Sequence, residues 1–318
     1  MSYQKRPVFN SVFDSYNFAG PERGVFFSHI TNRYGRFLIQ AGLEPGKAVS
    51  PLGVEDRAMA TESLFAVFDG VGEIWVPPVE NRATYTALSK TPRTLGDMPG
   101  FLLSRLLLSY SLLMAADNSS YDLRTIVREA SETYRNQLGY CGIDPSNDKE
   151  LFGGCTFAVA NVRPDGTVEI GSAGDAIAIV IMEEGAILST PNQLPNVNLE
   201  MEAVKKRYYA ELGEIEGRRQ FNAEYKHIQR NEWANSRYAF FDGNPQCAEL
   251  MNTFEVHLES IKHILLLTDG AFDASESDQV LIEKQIVDTF QKYGIEGLLS
   301  FNQSSTKPEA TVIEISRI

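Results

Sequence analysis

Short apolar runs ended by turn residues alternate along this chain with a few longer stretches at helical spacing. The clearest run is Leu64 to Phe68, which meets Asp69-Gly70. Phe65, Val67 and Phe68 favour an extended backbone, and an Asp-Gly pair turns the chain sharply. The pattern predicts a buried strand that ends on a carboxylate. It recurs about two hundred residues later, where the run Ile264 to Thr268 closes on Asp269-Gly270.

Between these two runs lies a series of short strands. Residues 156–162, 167–171, 177–182 and 186–189 are joined by Pro164-Asp165-Gly166, Gly174-Asp175 and Glu183-Glu184-Gly185. Tight turns at this spacing predict an antiparallel sheet rather than βαβ units. Residues 36–40, 254–258 and 311–315 add further strands. Helical spacing predicts helices over 97–116, 121–138 and 279–293, with Gly294 as the stop. The first of these is apolar on most sides, as expected of a helix buried against a sheet. Residues 1–35 read as an irregular lead-in and 43–53 as a loop.

Residues 191–237 break the strand rhythm. Part of it, 199–212, looks helical and charged, and the whole segment carries Lys205, Lys206, Arg207, Arg218, Arg219, Lys226 and Arg230. It reads as a locally basic insertion laid over the sheet.

Composition narrows the class. With 318 residues and 43% hydrophobic positions, the chain is long enough for a well-buried core. A formal net charge of -13 disfavours nucleic acid and anionic membrane as partners. No apolar run reaches the length of a membrane span. Cys141, Cys155 and Cys247 lie far apart without a CxxC pair, so a reducing compartment, the cytoplasm, is expected.

Two buried strands that both end in Asp-Gly point to one composite site, with Asp69 and Asp269 around a divalent cation. Gly70 lets a bound group approach the backbone closely. Carboxylate oxygens prefer the hard cations Mg²⁺, Mn²⁺ or Ca²⁺. The four histidines form no HxH or HExxH pair, which argues against a zinc hydrolase. No Walker-type loop is present. Cys155 has no evident base and reads as a small core residue rather than a nucleophile.

The order of motifs is Val54-Glu55-Asp56, Phe65-Ala66-Val67-Phe68-Asp69-Gly70, Gly154-Cys155-Thr156, Gly174-Asp175-Ala176, Thr268-Asp269-Gly270 and Glu309-Ala310-Thr311. This order resembles the metal-dependent type 2C protein phosphatase family, from about residue 54 to the C-terminus. The resemblance implies an α+β fold: a four-layer α/β/β/α sandwich, two antiparallel sheets flanked by helices. The chain 1–318 would be a single phosphatase-like domain, with 191–237 as a flap-type insertion that touches substrate. Asp69 matches a carboxylate that bridges two metals, Gly70 a carbonyl ligand and Asp269 another direct ligand. Glu55 and Asp56 match acidic residues that hold metal-bound water, and Asp175 an Asp near an accessory metal. The implied reaction is hydrolysis of phosphoserine and phosphothreonine in proteins by a hydroxide bridging Mg²⁺ or Mn²⁺ ions. Two such ions about 3.5–4 Å apart both generate the nucleophile and neutralise phosphoryl oxygens.

The sequence departs from that pattern at several positions. The family's last aspartate ligand falls on Pro308, with Glu309 beside it, and its phosphate-gripping arginine falls on Pro51. Arg57 and Arg36 are the candidates for that arginine's place. Val71, Cys155 and Ala176 stand where histidine, serine and serine are common. These departures leave two expectations open. One is an active phosphoprotein phosphatase. The other is a weak or inactive pseudophosphatase that binds or regulates a protein partner.

Overall fold

The computed structural model describes residues 24–32, 35–44, 56–60, 63–71, 121–140, 144, 146, 154–274, 276–301 and 310–317. The strands are β1 (Gly24–Asn32), β2 (Gly35–Glu44), β3 (Arg57–Ala60), β4 (Leu64–Val71), β5 (Gly154–Val162), β6 (Thr167–Ala173), β7 (Ile177–Met182), β8 (Ile187–Ser189), β9 (Asn252–His257), β10 (Ile261–Leu267) and β11 (Ala310–Arg317). The helices are α1 (Leu123–Tyr140), α2 (Pro195–Leu212), α3 (Glu214–Ile228), α4 (Gln246–Leu250) and α5 (Gln279–Ser300). The strands form two sheets, in the orders β1-β2-β11-β10-β7-β8 and β3-β4-β5-β6-β9. Every pairing is antiparallel.

Side-chain alternation produces the layers, because successive residues of a strand point to opposite faces. In β4, Phe65 and Val67 join Ile170, Ile264, Leu266 and Ile313 in the core between the sheets. Leu64, Ala66 and Phe68 point the other way and pack under Leu123, Ile126, Ala130 and Tyr134 of α1. In β10, Leu265 and Leu267 face Ile282, Ile286 and Phe290 of α5. The order is therefore helix, sheet, sheet, helix, which is the four-layer α/β/β/α sandwich that the resemblance implied. Each fully buried Phe, Leu or Ile in these cores contributes about 1.5–3 kcal/mol.

Several expectations are corrected in detail. The lead-in is not wholly irregular, because Gly24–Asn32 is a strand paired with Gly35–Glu44. β2 is itself longer than 36–40: it pairs with β11 out to Glu44. Gly294 has φ +65° and breaks helical geometry, yet the chain resumes helix as far as Ser300. A stop signal for one turn was thus not a stop for the element.

The charged insertion is a helical hairpin, α2 and α3, joined through Gly213. The second helix was not anticipated. Three of the insertion's basic residues sit in ion pairs with acids of the same segment. Lys205 pairs with Glu202, Arg219 with Glu216 and Arg237 with Glu200. The helix expected over 97–116 lies outside the described residues, as do Pro51, Glu55, Cys141, Pro308 and Glu309. Among the described residues, no helix is long and apolar enough to cross a membrane.

Candidate metal centre

The two Asp-Gly pairs meet at one end of the sandwich, but only one of them turns the chain. Asp269-Gly270 opens a 3-10 turn. Asp69-Gly70 stays extended, because β4 runs on to Val71 with Asp69, Gly70 and Val71 paired to Thr156, Cys155 and Gly154. β4 delivers Asp69, on the same side as Phe65 and Val67 and hence towards the space between the sheets. Asp269 opens a short 3-10 turn directly after Thr268, at the end of β10. Asp56 immediately precedes β3 and is buried. Asp175 sits in the turn between β6 and β7.

Threonine hydroxyls organise these carboxylates. Thr268 Oγ1 donates to Asp56 Oδ2 at 2.6 Å, and the same oxygen accepts the Thr311 N–H at 2.8 Å. The Thr268 N–H in turn donates to the Thr311 carbonyl at 3.0 Å. Thr156 stands opposite Asp69 in the β4–β5 register, and its Oγ1 donates to Asp175 Oδ1 at 3.0 Å. Thr156, Thr268 and Thr311 are all buried. Among the described residues, the Thr311 hydroxyl itself has no hydrogen-bond partner.

The electrostatics follow from this crowding. The Asp69 carboxyl is held well above its ordinary value of 3.8, first by loss of hydration, then by the charges of Asp56, Asp269 and Asp175. A side-chain hydrogen bond with Asp56 acts in the same direction. Two carboxyl groups share such a bond only when one is protonated. Asp69 retains some contact with solvent, yet enough atoms surround it for desolvation to lead. Asp175 is also raised by burial, against the opposing pull of the Thr156 hydroxyl. Four carboxylates gathered from both sheets repel one another unless protons or a cation intervene.

The donor set suits a hard cation. All four side chains offer oxygen, and the buried Gly70 adds a backbone carbonyl next to Asp69. Among the described residues, no three carboxylate, imidazole or thiolate groups converge on one point as a ready-made cage. This is compatible with Mg²⁺, which keeps several waters and takes one or two protein carboxylates.

The sequence-predicted residues are placed as follows. Asp69, Asp269, Asp56 and Asp175 come together, and Gly70 lies beside Asp69. Glu55, Pro51 and Pro308 fall outside the described residues, and so do the side chains of Arg36 and Arg57. Cys155 is a core residue as expected. It is fully buried, and its N–H and carbonyl pair with Phe241, both at 3.0 Å. Sequence reasoning missed Thr268 and Thr156 as the groups that hold Asp56 and Asp175. Thr268 immediately precedes Asp269-Gly270, and a hydroxyl at a buried strand end was the available signal.

No protein-family model and no curated protein matches the sequence. Among solved structures, the chain is similar to the PPM Ser-Thr phosphatase MsPP from Mycobacterium smegmatis in complex with cacodylate. That match has 15% identity over 88% of this chain and 98% of that one, with a TM-score of 0.47. The serine/threonine phosphatase PstP/Ppp of Mycobacterium tuberculosis matches at 14% identity, over 88% and 98% of the two chains, with a TM-score of 0.48. PppA, a type VI secretion regulatory component of Pseudomonas aeruginosa, matches at 14% identity, over 89% and 98%, with a TM-score of 0.42. Likeness at this level carries no function across, and the chemistry of the site is set by its own carboxylates.

Proposed function

We propose that this chain is a divergent metal-dependent type 2C protein phosphatase, hydrolysing phosphoserine and phosphothreonine in cytoplasmic proteins with Mg²⁺ or Mn²⁺. The observation that carries the reading is the gathering of Asp56, Asp69, Asp175 and Asp269 from both sheets at one end of the sandwich. The order of motifs along the sequence supports it independently.

Bound Mg²⁺ or Mn²⁺ supplies positive charge against the phosphoryl oxygens and a nucleophile drawn from water near neutral pH. Asp69 and Asp269 would hold the ions directly, with the Gly70 carbonyl as a neutral donor. Asp56, fixed by Thr268, presses its charge against Asp69 and keeps that region acidic. Asp175, fixed by Thr156, closes the other side. A phosphate dianion cannot approach four carboxylates without intervening cations, so hydrolysis depends strictly on the metal.

Phosphate release from a phosphothreonine peptide in Mn²⁺ tests this. Chelation should abolish it, and Asp69→Asn or Asp269→Asn should lower it by about a hundredfold or more, since even outlying partners of metal ligands are worth 10–100-fold. Hydrolysis that persists without metal, or in Asp69→Asn, would sink the reading.

A second reading is a pseudophosphatase that binds a protein partner on the same scaffold. Pro308 favours it, because it stands where a carboxylate is expected. Calorimetry separates the two. Weak Mn²⁺ binding with partner capture unaffected by Asp269→Asn supports the second.

A further inference from the structure

We propose that Gln193 is a positioning residue that ties the α2–α3 helical hairpin to Asp175, so that the seating of the hairpin sets the place of that carboxylate in the candidate centre. The proposal rests on the metal-dependent reading of that centre.

Gln193 grips the residue before Asp175 from both sides. Its backbone N–H donates to the Gly174 carbonyl at 2.9 Å, and its side-chain Oε1 accepts the Gly174 N–H at 3.0 Å. The same Oε1 accepts the Ala239 N–H at 2.9 Å, and Nε2 donates to the Leu250 carbonyl at 2.8 Å. One primary amide therefore joins three segments: the β6–β7 turn, the chain leaving the hairpin and the end of α4. Glutamine suits the task because its amide offers donor and acceptor at one tip. Glutamate lacks the donor.

The connection continues from Gly174 into the site. Gly174 has φ +70°, which favours glycine, and a Cβ there would overlap the Thr156 side chain. Gly174 therefore lies directly against Thr156, whose hydroxyl holds Asp175. On the other side, both ends of the hairpin meet at Gln193. Leu194 and Val197 lead in, Ala234, Tyr238 and Phe240 lead out, and these five share one apolar cluster. Neighbouring Asn192 accepts the opposite load, its N–H donating to Gln279 Oε1 of α5 at 3.2 Å. The segment between β8 and α2 is thus a strap between the hairpin and the acidic centre.

The test uses the full chain and amide hydrogen exchange on peptides covering Gly174 and Ala239. Gln193→Met removes every side-chain bond at similar volume, whereas Gln193→Glu keeps the acceptor oxygen. Exchange at both amides should rise about tenfold in Gln193→Met and stay close to native in Gln193→Glu. Asp175→Ala should speed exchange around Ala239 in the native background and have no further effect in Gln193→Met, because coupling between two sites is reciprocal and vanishes with its link. Simple additivity of the two substitutions, or unchanged exchange in Gln193→Met, overturns the proposal. Should Gln193→Met not fold, Gln193→Asn replaces it, being too short to reach all three partners.

In the phosphopeptide assay, Gln193→Met should raise the Mn²⁺ concentration for half-maximal rate several-fold and leave the peptide KM nearly unchanged. Gln193→Glu, which keeps the bonds to Gly174 and Ala239 but loses the one to Leu250, should fall between native and Gln193→Met. A change in peptide KM alone also overturns the proposal. If the native protein shows no metal-dependent hydrolysis, the phosphatase reading fails, and the exchange cycle by itself decides whether Gln193 couples the hairpin to Asp175.

Discussion

Thr268 donates a 2.6 Å hydrogen bond to the buried Asp56 across 212 residues of sequence. The bond links the end of one sheet to the start of the other at the acidic end of the sandwich. The same hydroxyl accepts the Thr311 N–H, so it satisfies two buried groups at once. Thr268→Val keeps the shape and removes both. It should cost about 3 kcal/mol, the range for a buried charged acceptor left without its donor. The urea midpoint measures it, and Thr268→Ser should recover most of the loss.

The strands around this bond were legible because their apolar runs ended in Asp-Gly, Asp-Gly and Gly-Asp. The burial of Phe65, Val67, Ile264 and Leu266 follows from the alternation that named them. The role of Thr268 was not legible, because threonine is at home in any strand and its partner lies far away in sequence. Gln193 was hidden for a similar reason: its partners, Gly174, Ala239 and Leu250, are backbone groups that any sequence could supply. Gly294 looked like a helix stop because local signals do not know that Ile295, Leu298 and Leu299 still have a core to bury in.

Asp69 gives a pH prediction for the metal-free protein. Its folded-state carboxyl is raised above 3.8, the value it regains on unfolding. Between those two values the unfolded chain binds fewer protons, so stability falls as pH rises. The contribution is fully present below 3.8 and lost as pH climbs through the raised folded value. Asp175 adds in the same sense. Asp69→Asn should flatten this decline and stabilise the metal-free protein at neutral pH. Denaturant unfolding across acidic to neutral pH measures both.

The same crowding predicts the effect of metal. Mn²⁺ at a hundred times its dissociation constant should stabilise the native protein by about 2.7 kcal/mol at neutral pH. Chelation should reverse this, and Asp69→Asn should abolish it. Equal stabilisation of the native protein and Asp69→Asn would place the ion elsewhere.

Gly174→Ala tests the close approach at the β6–β7 turn. The new methyl would overlap Thr156 at a residue with φ +70°, and either fault alone is strained. Stability should fall by more than about 1 kcal/mol. Because the displaced side chain is the one that holds Asp175, Mn²⁺ affinity should fall with it. Gly185→Ala, also at positive φ but with open space around it, serves as the control. It should lose stability without losing metal affinity, as measured by calorimetry.

Pro308→Asp separates an enzyme missing a ligand from a scaffold that has abandoned the chemistry. Pro308 lies three residues before Thr311, and Thr311 is buried and bonded to Thr268 beside the acidic centre. Proline offers no side-chain donor, whereas an added carboxylate brings both an oxygen and a negative charge. If that missing ligand limits the protein, Mn²⁺ affinity should rise by about tenfold or more, on the scale of the 10–100-fold that supporting groups contribute. Turnover of a phosphothreonine peptide should rise with it. If residue 308 does stand at the last ligand position, the extra charge should instead destabilise the fold without Mn²⁺, since carboxylates gathered together repel one another. Calorimetry, turnover and metal-free stability together give the answer. A gain in affinity without turnover would favour the pseudophosphatase reading. No change in any of the three would mean that the last ligand position is not at residue 308.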